Sequence, residues 1–167
     1  MAILDVLVYP DSRLKQISSP VEKFDDSLRN FIRDLADTME NGPGCVGIAA
    51  PQVGKFERIV IIDLSSKPKN PNHGRLILIN PVIKEESGKS IGREGCLSVP
   101  DYTGNISRSK KITLSAFDET GKAHSYEMKG FEARVVQHEI DHLDGLLFLD
   151  RLVSRRSELF PRKNYAD

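Results

Sequence analysis

The sequence predicts an α+β fold, and three observations carry that expectation. Two stretches place apolar residues at helical spacing, one near residues 26–41 and one around "VVQHEIDHLDG" at 135–145. Two short apolar runs, "ERIVIID" at 57–63 and "RLILIN" at 75–80, read as strands, and "KKITLSAFDETGKAHSYEMK" at 110–129 reads as a hairpin. These helices and strands do not alternate as parallel crossover units require, so a mixed α+β architecture is expected.

Taken in chain order, "VYPDSRLKQISSPVEKFDD" at 8–26 is punctuated by prolines and reads as a wrapped, mostly irregular segment. Asp25 or Asp26 can cap a helix running to about Asn41, because Leu28, Phe31, Ile32, Leu35 and Met39 share one face and Gly42-Pro43 stops the run. Between the two apolar strands, "LSSKPKNPNHG" at 64–74 is polar and rich in proline and asparagine, as an exposed loop is. The hairpin turn is expected around Asp118–Gly121. Gly130 and Gly145 bracket the second helix. Residues 153–167 are highly charged, contain Pro161 and are expected to form a partly ordered tail.

Composition bounds the function classes. A chain of 167 residues suits one catalytic domain with a substantial core. Its zero formal net charge gives no bulk attraction to nucleic acid or membrane. No apolar run approaches the roughly 20 residues that span a bilayer. The opening "MAILDVLVY" lacks the basic and apolar regions of a secretion signal. Two cysteines, Cys45 and Cys96, make no disulfide scaffold. A soluble, reducing compartment is therefore expected.

The second helix carries the chemistry. At about 100° per residue, Phe131, Val135, His138 and His142 fall on one side and Ala133, Val136, Ile140 and Leu143 on the other. Apolar residues on both sides mark a buried helix. His138 and His142 sit one turn apart, a spacing that suits a divalent metal, with Glu139 beside them as a base. The bland alternative is a surface helix with two chance histidines.

Two histidines do not complete a catalytic site, which usually has three protein ligands and an open position. The extended motif with a third histidine is excluded, since that position holds Phe148. A glutamate from a later helix leaves only Glu158. Upstream candidates are His73, His124, Cys45, Cys96 and several carboxylates. Cys96 stands out in "REGCLSVP", where Gly95 permits close backbone approach and "CLSVP" reads as an extended segment. A thiolate with two imidazoles would suit zinc or ferrous iron. A small buried core cysteine is the competing reading.

Three segments together resemble the peptide deformylase family: "CVGIAAPQ" at 45–52, "EGCLS" at 94–98 and "QHEIDHLDG" at 137–145. The first departs from the family's G-x-G-x-A-A-x-Q pattern, with Cys45 in place of the first glycine. That change bears on the geometry of the loop and the width of the cleft entrance, and it leaves the metal set untouched. The resemblance implies a central metal-binding helix surrounded by antiparallel β-sheets. It further implies removal of the formyl group from the N-terminal formylmethionine of newly made chains at the ribosome, in a bacterial cytoplasm by preference, with an organelle enzyme stripped of its leader as the other reading.

In that reading Cys96, His138 and His142 hold ferrous iron, with zinc, nickel or cobalt able to replace it, and water or hydroxide takes the fourth position. Glu139 is the general base and then the acid. Gln52 and the main-chain N–H of Leu97 stabilise the anionic intermediate. Glu94 and Gln137 orient the ligands. The peptide lies as an added strand near Val46, Gly47 and Gly95, and the methionine side chain enters beside Val46, Phe131 and Val135. Arg108 and Arg134 are read either as peptide-steering charges or as solvated surface. Two rival readings are a metallopeptidase acting on ordinary peptide bonds and a non-catalytic metal-bound module; a structural site has no need of Glu139.

Overall fold

The structure is a computed structural model that describes residues 2–152 and 159–162. The first helix, α1, spans Asp26–Asn41. The Asp25 carboxylate accepts from the Leu28 N–H at 2.9 Å, satisfying one of the donors that a helix start leaves open. Leu28, Ile32, Leu35, Ala36 and Met39 are buried on one face, as their spacing predicts, and Phe31 packs partly buried beside them.

Among the described residues, eight strands follow the chain as β1 (Gly47–Ala49), β2 (Ile59–Asp63), β3 (Arg75–Ser87), β4 (Ser90–Cys96), β5 (Val99–Arg108), β6 (Lys111–Phe117), β7 (Ala123–Lys129) and β8 (Leu159–Pro161). They form a five-stranded sheet in the order β1-β2-β3-β6-β7 and a three-stranded sheet in the order β4-β5-β8. Every pairing between these strands is antiparallel. The second helix, α2, spans Gly130–Leu143.

The unbroken apolar run of β2 has a clear cause. Ile59 and Ile61 face α1, in a cluster with Leu35, Met39, Ile48 and Ile79. Val60 and Ile62 point the other way, in a cluster with Ala133, Val136, Ile140 and Leu143 of α2. Residues 59–62 are covered on both faces, so alternation is lost and these four side chains are all apolar. Each such aliphatic side chain contributes roughly 2 kcal/mol of burial free energy.

Helix α2 lies against the five-stranded sheet on one side, and every residue from Glu132 to Leu143 is buried. A third cluster, built from Cys96, Val99 and Ile106 of the small sheet with Leu147, Phe148 and Leu149, lies beyond its histidines; Phe148 stacks on His138 with ring centroids 6.3 Å apart. The position that excluded a third histidine ligand is thus a wall of the core.

Several local expectations are corrected. Strand β3 does not stop at Asn80 but continues to Ser87. Asn80 takes a left-handed conformation (φ 52°), and its side chain bonds both the N–H and the carbonyl of Val21, so a kinked strand is held in register by a distant segment. "CLSVP" is not one extended segment. Cys96 ends β4, pairs with Val99 and is separated from β5 by a two-residue turn at Leu97–Ser98. Within the expected tail, Leu159–Pro161 form β8 against Tyr102–Gly104, while 153–158 and 163–167 lie outside the described residues.

Candidate metal centre and cleft

The β4–β5 turn brings Cys96 against α2. One ligand atom from each of Cys96, His138 and His142 lies within 4.8 Å of the others, and all three residues are buried. Cys96 Sγ is 3.4 Å from His142 Nε2. His138 uses Nδ1 for a 2.8 Å contact with Glu94, which turns its Nε2 toward the cluster. Among the described residues this is the one His/Cys/Asp/Glu group close enough to share an ion. His73 and His124 are elsewhere, paired with Glu132 and Asp118 at 2.7 Å. Cys45 is also apart from it, donating to the Gly47 carbonyl at 3.0 Å.

The residues fit a divalent cation. One soft sulfur and two imidazole nitrogens form a suitable donor set for zinc or ferrous iron. Glu139 Oε1, on the cluster side, is buried without a hydrogen-bond partner among the described protein groups, the condition of a site built to receive a ligand. Glu139 Oε1 stands 3.9 Å from His142 Nε2. Burial pushes the Glu139 carboxyl up to about 7. A neighbouring dication would pull it back down.

Glu94 organises the layer behind the metal ligands. It accepts from Arg108 at 3.0 and 2.9 Å, from Arg134 at 2.7 Å, and from His138. Burial opposes its charge, but the Arg108 and His138 contacts outweigh that and hold the carboxyl well below its usual range. Arg108 also pairs with Asp141, which in turn accepts from Arg151 at 2.8 Å. The solvated-surface reading of Arg108 and Arg134 is therefore corrected, since 4% and 9% exposure leaves both side chains buried; Arg134 still lines the cavity in front of the cluster. Sequence spacing held no signal for this, because charge-pair burial depends on which strands meet. Gln137 spans the Ser109 backbone, accepting from its N–H at 3.0 Å and donating to its carbonyl at 2.9 Å.

In front of the cluster is a cavity of about 260 Å³. Val46, Gly47, Gln52, Gly95, Cys96, Leu97, Phe131, Val135, His138 and Glu139 all line it, so those sequence candidates converge on one space, while His142 completes the cluster behind. Gln52 is anchored by the Ala49 N–H, which donates to its amide oxygen at 2.9 Å. Its NH2 group then points to Ser98 Oγ at 3.1 Å and Cys96 Sγ at 3.4 Å. Gly47 permits a close approach: a Cβ there would lie 2.8 Å from Glu139 Oε2 and 3.0 Å from Val135 Cγ1.

A family model described as polypeptide deformylase matches residues 3–158. The chain belongs to the peptide deformylase family. The peptide deformylase of Alkalilimnicola ehrlichii is 43% identical over 164 residues, covering 98% of this chain and 89% of that protein. Among solved structures, the peptide deformylase of Legionella pneumophila superposes with a TM-score of 0.84 at 42% identity, covering 90% of this chain and 86% of that one. The Ehrlichia chaffeensis peptide deformylase in complex with actinonin gives 0.86 at 37% identity, with coverage of 93% and 92%. A Met-Ala-Ser-bound structure from Acinetobacter baumannii gives 0.82 at 35% identity over 90% of this chain and 99% of that one. The α+β fold read from the sequence is the fold of these peptide deformylases. Among the described residues, no helix is long and apolar enough to cross a membrane.

Proposed function

We propose that this chain hydrolyses the N-formyl group from the N-terminal formylmethionine of newly made polypeptides, at a metal held by Cys96, His138 and His142. The observation that carries the reading is the convergence of that ligand set with Glu139 and Gln52 on one cavity walled by Gly47 and Gly95. The Met-Ala-Ser bound to the Acinetobacter baumannii relative supports a peptide beginning with methionine as the occupant.

When bound there, the metal supplies Lewis acidity that lowers the pKa of water and polarises the formyl carbonyl. The thiolate and two imidazoles suit ferrous iron, with zinc, nickel or cobalt able to take its place. Glu139 removes a proton from the attacking water; its buried carboxylate, with one oxygen unpartnered, can accept it. The new C–O bond moves charge onto the formyl oxygen. Gln52 donates from its NH2 group to that oxygen, and the Leu97 N–H, placed by the β4–β5 turn, is the second donor. As the C–N bond breaks, Glu139 returns its proton to the leaving amine, and formic acid departs, losing its remaining proton to solvent as formate.

The peptide backbone runs past Val46, Gly47 and Gly95, where glycines admit it. Phe131 and Val135, on the histidine side of α2, with Val46 opposite, form the apolar wall that receives the methionine side chain. The reading places the protein in the cytoplasm, acting on nascent chains as they leave the ribosome. Metal analysis on protein purified without oxygen, paired with turnover of formyl-Met and unformylated Met peptides, tests it. The expected result is about one metal per chain and cleavage of the formyl amide alone. Cleavage of internal peptide bonds at a similar rate would overturn it.

A further inference from the structure

The first residues of the chain tie together the two elements that carry the donors to the formyl oxygen. Residues 2–9 belong to no helix or strand, yet their N–H groups bond in two pairs, each pair two residues apart as in an extended chain. The Ala2 N–H donates to Asp34 Oδ1 and the Leu4 N–H to Thr38 Oγ1, both at 2.8 Å, so the segment starts on α1. Further along, the Leu7 N–H donates to the main-chain carbonyl of Gln52 and the Tyr9 N–H to that of Ser98, both at 2.7 Å.

Gln52 lies in the short helical turn Ala50–Val53, and Ser98 lies in the β4–β5 turn next to Leu97. Two residues of extended chain advance about 7 Å, so this stretch fixes the span between the two carbonyls. It does so from outside the cavity: Gln52 and Ser98 are buried, and among the described residues none before Pro43 lines the cavity. On the cavity side the same two elements are linked by the Gln52 NH2 group, which donates to Ser98 Oγ and Cys96 Sγ. In the reaction that group turns a hydrogen to the formyl oxygen, so it is a poor brace at the moment when bracing matters. The main-chain ties stay whole throughout, because the substrate does not compete for them.

We propose that Leu7 and Tyr9 are positioning residues for the reaction, whose main-chain N–H groups set the separation of the Gln52 amide and the Leu97 N–H to the one that the oxyanion requires. This rests on the deformylase reading and adds a part to the same site. Donors aimed at developing charge are effective because they need no reorganisation as the charge appears, which demands that their own supports be fixed. A displacement near 1 Å can cost about a hundredfold in rate. The Leu7 side chain also packs, partly buried, against the cluster of Cys96, Val99 and Phe148, so the test must remove the N–H and keep the side chain.

The test replaces one N–H at a time by an ester oxygen, using the α-hydroxy acid that matches Leu7 or Tyr9 in the full-length protein. The same change at Val8 is the control, because alternation turns its N–H away from both carbonyls. With metal bound and a formyl-Met peptide as substrate, the Leu7 and Tyr9 esters should each lower kcat by about tenfold and leave KM within about threefold, since the donors act on the transition state. The Val8 ester should change kcat by less than about threefold. In a Gln52→Ala background the Leu7 ester should cost less than about twofold, because the group it positions is gone; a general loosening of the fold would cost the same in both backgrounds. The second readout needs no turnover: in the metal-free protein, the nuclear magnetic resonance signals of the Gln52 side-chain NH2 should shift with the Leu7 ester and stay in place with the Val8 ester. A kcat loss under about threefold for both esters, a change in KM alone, an equal loss in the Gln52→Ala background or an unmoved Gln52 signal overturns the proposal. Failure of the unmodified protein to turn over the peptide refutes the deformylase reading instead, and the Gln52 signal then still decides whether Leu7 holds Gln52 in place.

Discussion

Replacing Glu94 by glutamine should damage both stability and the metal site, by an amount that follows from its contacts. Each carboxylate oxygen accepts from two donors: Oε1 from Arg108 Nη2 and His138 Nδ1, Oε2 from Arg108 Nε and Arg134 Nη1. A glutamine amide presents an NH2 group at one of those two places, so either orientation sets a donor against two donors. The substitution also removes the anion between two buried guanidinium groups. Breaking a buried pair on one side costs about 3–5 kcal/mol. Arg108 keeps Asp141, and Arg134 keeps the Ile106 and Ser90 carbonyls at 2.9 Å, which favours the lower end. At about 2–4 °C per kcal/mol for a domain of this size, Tm should fall by about 6–12 °C. Thermal unfolding with a chelator present isolates this effect from metal binding. Metal affinity should fall by about 10–100-fold, because His138 loses the partner that orients its ring. A Tm loss below about 2 °C, or a metal affinity within about threefold of wild type, would refute the reasoning.

Glu139→Gln should retain metal and lose nearly all turnover, because it removes the base and no ligand; activity above about a tenth of wild type would contradict the assigned role. Cys96→Ser should lower metal content or change the preferred metal, whereas Cys45→Ser should do neither; burial pushes the Cys45 thiol up to about 12, and metal analysis of both variants reads the difference. Gly47→Ala should leave the fold intact by circular dichroism while cutting turnover by about tenfold or more, since the new methyl displaces Glu139, and displacements near 1 Å can cost about a hundredfold. Hydrogen bonds from Thr120 and His124 hold the Asp118 carboxyl well below its usual range. Its contribution to stability is present above the unfolded carboxylate pKa of about 4 and is lost as pH falls below that. The Tm advantage of wild type over Asp118→Asn should therefore shrink between about pH 5 and pH 3, and an advantage independent of pH would show that the turn is held by other contacts.

The sequence by itself determined what is periodic or local. The spacing of Leu28, Ile32, Leu35 and Met39 defined the buried face of α1, and apolar residues all round α2 defined a helix with no solvent side. His138, Glu139 and His142 are readable because one turn of helix separates the histidines. Resemblance in three short motifs then brought Cys96 and Gln52 into the same expectation. Tertiary structure decided everything that depends on which strands become neighbours. Cys96 and His142 are 46 positions apart, and only the β4–β5 turn lying against α2 brings their ligand atoms to 3.4 Å. Arg108 and Arg134 look like surface charges in sequence, yet they are core residues because Glu94 and Asp141 arrive from other elements. Arg162 lies in a stretch that composition marked as a tail, and three pairings with β5 carry it to the mouth of the cleft. The physical reason is the same in each case. Periodicity records which way a side chain points along its own element, whereas a buried charge or a cleft is made by side chains from different elements, whose proximity is fixed only when the sheets and helices close on one another.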